Sequence, residues 1–191
     1  MGDALDMPPV LSTARLVLRP MGPDDAAAVQ KWAGDFEVAD TALNIPHPYP
    51  DGLADEWIAM HGRAWREGRE AVFAITARAD GTLMGAIGLA GIDARHRHAE
   101  MGYWLGRPFW NLGLATEAAR AVLRFAFDTL DLERVFAHHF VRNPASGRVL
   151  EKIGMVHEGV LRAHVRQWGR PEDLVVCGIL RREWQAHDGG G

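Results

Sequence analysis

Between residues 99 and 128 the chain changes its hydrophobic period, and that change restricts the fold more than any other feature. Residues 99–105 (Ala-Glu-Met-Gly-Tyr-Trp-Leu) read as a strand. Pro108, Asn111 and Gly113 then break it. From Ala115 the apolar positions Ala118, Ala119, Val122, Leu123 and Ala126 recur at spacings of three and four, the period of a helix with one buried face. The order is strand, tight loop, helix. The first turn of such a helix leaves amide N–H groups without intrahelical partners, at the positive end of the helix dipole. Gly113 and Ala115 are small enough for another molecule to approach that backbone. The arrangement suits a phosphate or diphosphate. A nucleotide P-loop is excluded, because no Gly-Lys pair occurs in the chain. A dinucleotide fingerprint is excluded too, because Gly113 stands alone where G-x-G-x-x-G is required.

Composition narrows the class of protein. A chain of 191 residues with 48% hydrophobic and 24% charged residues is long enough for one globular domain with a full core. We expect that domain over residues 11–185, a loose arm at 1–10 and a loose tail at 186–191. The net charge of −4 argues against a nucleic-acid partner. No apolar run approaches the length of a membrane span, so no membrane association is expected. The single Cys177 allows no intramolecular disulfide, and the acidic, proline-containing N-terminus is not a signal peptide. A cytoplasmic protein is therefore expected.

The remaining elements follow in order. Residues 15–19 alternate as a first strand and end at Pro20. Pro23, Asp24 and Asp25 open a helix, which Gly34 interrupts before a short second helical piece near 36–39. Three prolines in alternation at 46, 48 and 50 force an extended loop, a candidate wall for an acceptor pocket that would present His47 and Tyr49. Residues 54–69 form an amphipathic helix with Trp57, Ile58, His61, Ala64 and Trp65 on one face. Strands are expected at 71–77, 83–92 and 97–105, the first two joined by an Asp80-Gly81 turn. Gly85, Gly88 and Gly91 within the second strand suggest bulges or a close backbone approach. A strand at 134–141 precedes a helix capped by Asn143, with Pro144 at its first position and Gly154 past its end. Residues 155–168 and 171–184 form a long hairpin about Gly169.

Two ordered strings carry a family resemblance. The first is the run 99–106 followed by Phe109-Trp110 and then Gly113-x-Ala115-Thr116-Glu117-Ala118. The second is Asn143-x-x-Ser146-x-x-Val149-Leu150-Glu151-Lys152-x-Gly154, about thirty residues on. Together they resemble the GCN5-related N-acetyltransferases, whose acyl-CoA loop reads Gln/Arg-x-x-Gly-x-Gly/Ala, and within them the branch of ribosomal-protein N-terminal acetyltransferases. The resemblance extends over roughly residues 11–184. It implies an α/β (α+β) fold: a single domain with a mixed, mostly antiparallel sheet of about seven strands, splayed between the fourth and fifth and flanked by helices. It also implies acetyl-CoA as cosubstrate, no metal, and a small-molecule or peptide amine as acceptor. Members of the branch often dimerise, so a homodimer is an open expectation with no surface named by the sequence.

The resemblance also assigns residues. Tyr103, Trp104 and Leu105 would line the pantetheine arm, and the amides of Trp110, Asn111, Leu112, Gly113, Leu114, Ala115 and Thr116 would hold the diphosphate. Asn143 would add a hydrogen bond to the bound cofactor beside its capping role, and Ser146 would donate to the leaving thiolate. This chain departs from the pattern at Trp110, where Gln or Arg is usual, and at Leu112, where a basic residue is common. Arg107 or Arg148 could supply the missing charge. Acyl transfer to an amine also needs a base. Glu100 and His98 share one strand face and are candidates; His138 and His139 lie on the facing strand. Branch members acting on ribosomal protein carry a Glu on the late hairpin, where this chain has Val165, which leaves the neighbouring His164 as another candidate. The expected activity is direct transfer from acetyl-CoA to a primary amine, at a protein N-terminus or on a small molecule. The alternative is a non-catalytic acyl-CoA-binding module.

Overall fold

The computed structural model describes residues 6–188. Eight strands make one sheet in the order β1-β2-β3-β4-β5-β6-β8-β7. They are β1 Leu11–Ser12, β2 Leu16–Arg19, β3 Ala71–Ala77, β4 Leu83–Asp93, β5 His98–Leu105, β6 Arg134–Phe140, β7 Val156–Gln167 and β8 Arg170–Leu180. The helices are α1 Ala26–Ala33, α2 Phe36–Thr41, α3 Leu53–Arg66, α4 Leu114–Arg124, α5 Pro144–Lys152 and α6 Arg181–Asp188. Every strand pair is antiparallel except β5–β6. The strand beyond the expected seven is the two-residue β1. Setting it aside, the parallel pair is the fourth and fifth strand, where the splay was expected.

Each sheet face has its own core. Phe73, Ile75, Leu89 and Met101 pack under α4, whose Ala118, Ala119, Val122 and Leu123 are all fully buried. The two alanines leave no bulk between helix and sheet, so the helix axis lies close and α4 aims its N-terminus at the end of β5. On the opposite face Ala74, Ala86 and Leu83 meet Val29 and Ala33 of α1 and Ala54 and Ile58 of α3. Each large apolar side chain so buried stabilises the fold by about 1.5–3 kcal/mol.

Several boundaries differ from the sequence reading. The third helix stops at Arg66, not residue 69, because the Gly68 and Arg69 amides turn back onto the Trp65 and Ala64 carbonyls. The α4 helix passes into a wider π-turn, Phe125–Thr129, which buries Phe125, Ala126 and Phe127 in succession. The last strand ends at Leu180, where residues up to 184 had been expected to continue it. There the Glu183 carboxylate accepts the Leu180 amide, and α6 brings Trp184 against Phe127. That helix runs to Asp188, into the segment expected as a loose tail; residues 1–5 of the expected arm and 189–191 of the tail lie outside the described residues.

Candidate active site

The loop after β5 is built to expose main-chain donors. A 3-10 turn, Arg107–Phe109, uses the Phe109 and Trp110 amides internally, onto Gly106 and Arg107 carbonyls. The amides of Asn111, Leu112 and Gly113 have no backbone partner among the described residues. Gly113 caps α4 with φ +76° and supplies no side-chain bond to the helix terminus, so the first-turn amides of α4 remain open as well. Asn111 adopts φ +60°. Two positive-φ residues in three turn successive N–H groups toward one concavity, the arrangement that binds anions.

An arginine from a distant part of the chain stands behind the turn. Arg15, just before β2, donates from Nη1 to the Leu112 carbonyl (2.9 Å) and from Nε to Glu117 (2.6 Å). A Cβ on Gly113 would sit 3.6 Å from Arg15 Nη2. Thr13 Oγ1 and the Arg15 amide also donate to Glu117. Burial pushes the Glu117 carboxyl up, but these three bonds outweigh it and hold it below the usual carboxylate range. Arg107, one of the two substitutes expected from sequence, is engaged elsewhere, 2.6 Å from Glu37. Arg148 lies exposed on α5 with no ion pair among the described residues. Trp110 uses its indole N–H on the Leu105 carbonyl at 2.7 Å, so this side chain fastens the loop to the end of β5.

The splay is present. β5 and β6 pair only at His98–Arg134, Ala99–Val135 and Glu100–Phe136. Beyond Glu100, β5 keeps its bonds to β4, while Ala137 to Phe140 stay with β8. A gap opens between Met101–Leu105 on one side and 137–140 on the other, with unused main-chain groups on its edge. The glycines of β4 and β5 differ in purpose. A Cβ at Gly85 would collide with the Trp104 carbonyl, so the close approach expected there is the neighbouring strand. A Cβ at Gly102 would meet nothing within 4 Å; this position opens the floor of a cavity.

On the α4–α5 side of the gap two hydroxyls meet. Tyr103 Oη lies 2.8 Å from Ser146 Oγ and donates a second, longer bond to the Ser146 carbonyl. Ser146 is placed by Asn143, whose Oδ1 accepts the Ser146 amide at the start of α5. Asn143 Nδ2 also reaches the Thr41 carbonyl of α2 at 3.5 Å. Burial pushes the Tyr103 phenol up to about 12, against the opposing pull of the Ser146 bond, so it stays protonated. His139 points the same way, its ring beneath Gly147, where a Cβ would come within 3.0 Å.

From Tyr103, His139 and Ser146 at this gap a cavity of about 460 Å³ runs through to the opposite face, between the sheet, α1, α3 and the proline loop. Glu100 and His138 face it together, with Glu100 Oε1 2.7 Å from His138 Nδ1. His98, the other candidate on that strand face, turns edge-on to Phe136 and leaves Nδ1 buried without a partner. The proline loop forms one wall through Asn44, Ile45, Pro46 and Tyr49, and Gln30 of α1 pins it by donating to the Tyr49 carbonyl. His47 is not in that lining. It stands outside with Phe36 and Trp168 as an exposed ring cluster and is joined to Pro48 by a cis peptide bond. His164 is exposed on β7 and lies apart from the cavity lining. The tip of the β7–β8 hairpin closes the wall from outside. Gln167 donates to the Ala39 and Ala42 carbonyls, and Asp40 accepts from Trp168 and Arg142. None of these cross-links joins neighbours in sequence.

The gap, the anion-binding turn and the cavity fit acetyl-CoA: open amides for the diphosphate, a strand edge for the pantetheine amides, and a cavity at the far end for an acceptor. Residues 15–156 match the family model of the acetyltransferase (GNAT) domain. The chain belongs to this family. It is an acetyl-CoA-dependent N-acetyltransferase, of the type that includes the ribosomal-protein enzymes. Among relatives of this GNAT protein, the uncharacterized N-acetyltransferase YoaA of Bacillus subtilis is 33% identical over 91% of this chain and 97% of its own. The ribosomal protein uS5-alanine N-acetyltransferase of Escherichia coli is 23% identical over 91% and 92%. A GNAT-family acetyltransferase from Bacillus anthracis superposes with a TM-score of 0.80 at 25% identity, over 92% of this chain and all of that one. Among the described residues, no group of three or more His, Cys, Asp and Glu could hold a metal ion, and no helix is long and apolar enough to cross a membrane.

Proposed function

We propose that this GNAT protein transfers acetyl directly to a primary amine held in the cavity, with donor and acceptor bound at once. The observation that carries this reading is the division of labour across the β5–β6 gap: a carboxylate–imidazole pair on one face, a hydroxyl pair on the other. Acetyl-CoA supplies an activated thioester carbonyl. The chain's residues do the rest. The amides of Asn111, Leu112, Gly113 and the first turn of α4, with Arg15 beside them, hold the diphosphate. The free edge of β5 near Trp104 and Leu105 orients the arm and offers a main-chain N–H to the carbonyl oxygen. Glu100 accepts the ammonium proton of the acceptor, and His138, bonded to the same carboxylate, orients it and shares the charge.

Tyr103 and Ser146 face the departing sulfur. A phenol near 12 is a weaker acid than an ordinary thiol near 8.5 by about three and a half pH units. The pair therefore stabilises the thiolate by donating hydrogen bonds, without giving up its own proton. Covalent relay through Cys177 is disfavoured. It is buried, and burial pushes its thiol up, away from the nucleophilic thiolate. The acceptor class is a protein N-terminus or a small amine; the relatives include an enzyme named for the former.

Thiol release from acetyl-CoA, measured against a panel of small amines and peptides beginning with Ala or Ser, tests the reading. Release with at least one class of amine, lost in Glu100→Gln, is expected. A flat response across the panel with CoA still bound would favour the non-catalytic module.

A further inference from the structure

The cavity wall holds an acidic group that the reaction does not require. Glu100 is one of two carboxylates in the lining. The other is Glu70, which stands immediately before β3. Ala71 pairs with Leu89, and Ala90 pairs with Glu100, so one step beyond the Ala71–Leu89 pair the register carries Glu70 to the far side of Ala90 from Glu100. The three positions share the sheet face that bears the cavity. Two strand spacings separate the carboxylate-bearing backbones by about 10 Å. Glu70 is half-buried and makes no ion pair or side-chain hydrogen bond among the described residues. Between the two acids the surface is methyl and main chain: Val72, Ala90, Gly88 and the open Gly102. Among the described residues no Lys or Arg lines the cavity; its remaining ionisable groups are His138, His139 and Tyr49 with Tyr103.

We propose that Glu70 is a second cation site and that the preferred acceptors are linear diamines, with one ammonium group delivered to Glu100 and the other held by Glu70. This inference rests on the transferase reading above and deepens it. An amino acid would place its own carboxylate against two others with no cation to offset it. A peptide would bring amide groups onto an apolar strip that offers them few partners. A methylene chain matches that strip, and a charge at each end matches the two acids. The span between ammonium groups falls between about 4 and 10 Å, according to whether they sit between the carboxylates or above them.

The test compares α,ω-diamines of three to seven methylenes with monoamines of equal length, by thiol release at low and high salt. Expected is a KM at least tenfold lower for the best diamine, with the preference shrinking as salt rises. Glu70→Gln should abolish the preference by raising the diamine KM, with diamine kcat and the monoamine kcat/KM within twofold of wild type. Glu70→Asp should restore it with the optimum moved to a longer diamine. Equal use of both amine classes by the wild type, acetylation of peptides alone, or a Glu70→Gln defect equal for both classes would overturn this inference and leave the transferase reading standing. Turnover of no amine at all would overturn both.

Discussion

The two sides of the β5–β6 gap present their polar groups by different means. On the α4 side, beyond the Tyr103–Ser146 hydroxyl pair, the donors of the turn are main-chain amides at Asn111, Leu112 and Gly113, supported from behind by Arg15 and Trp110. On the α1–α3 side the groups are side chains, Glu100 and His138, inside a wall assembled from distant segments. A backbone site depends on φ and ψ and tolerates exchange of side chains; a side-chain site depends on each functional group. That explains how Trp110 and Leu112 can stand where the family pattern has polar or basic residues without dismantling the turn. It also explains why family membership identifies the donor while the acceptor has to be read from this chain alone.

The largest effect that would sharpen this contrast belongs to the side-chain half. Glu100→Gln should lower kcat/KM by about 10²–10⁴-fold with CoA affinity, followed by calorimetry, unchanged. A comparable loss of CoA binding would break the distinction between the halves.

Next comes a liability confined to the acceptor half. His61 of α3 is 4% exposed, lies edge-on to Trp57 and has no hydrogen-bond partner at either nitrogen among the described residues; burial lowers its pKa from 6.5 to about 4. Because the folded pKa is the lower one, the unfolded chain binds more protons between pH 6.5 and 4, and stability falls as pH falls through that window. From pH 7 to pH 5 the loss is about 2 kcal/mol. Denaturant unfolding at the two pH values should show it in the wild type and lack it in His61→Phe. An equal loss in both proteins would assign the acid sensitivity elsewhere.

The backbone half should respond to conformation more than to chemistry. Gly113→Trp forces a side chain onto a φ of +76°, at a cost of about 1–2 kcal/mol, so CoA affinity should drop about tenfold while circular dichroism stays that of the wild type. Unchanged affinity would remove the turn from the site. Ser146→Ala should cost about 1 kcal/mol, roughly a fivefold loss of kcat with little change in CoA binding; full activity would exclude the Tyr103–Ser146 pair from the reaction. Leu112→Ala, which leaves its amide in place, should change neither constant by more than about twofold.

Much of the scaffold was legible before the structure. Residues 71–77 form β3 as read, Asn143 caps α5, and His61 lies on the buried face of α3 where the helical period put it. The turn at Gly113 was legible because its cause is local: a strand, a break at Gly113 and a helical period. The contacts that were not legible are those without a local cause. Arg15 lies some hundred residues from Leu112 and Glu117, and nothing in a Leu-Arg-Pro strand end announces such a partner. Glu100 shares its strand face with His98, but its bonded partner is His138, brought close by the parallel β5–β6 pairing. Tyr103 and Ser146 each stand in a motif of the sequence, but nothing local pairs them across 43 residues. His47 and His164 were marked as chemical residues in exposed segments, and their distance from the cavity lining depends on how the proline loop and the late hairpin fold over it.

By itself the sequence determined the elements of this GNAT protein and the turn at Gly113, because hydrophobic period, caps and a positive-φ glycine act within a few residues. The tertiary structure decided which carboxylates share a cavity, which imidazole meets Glu100 and which arginine stands behind the diphosphate turn. Those pairings are set by strand order and register, and a linear chain carries no record of which distant residues its sheet will place side by side.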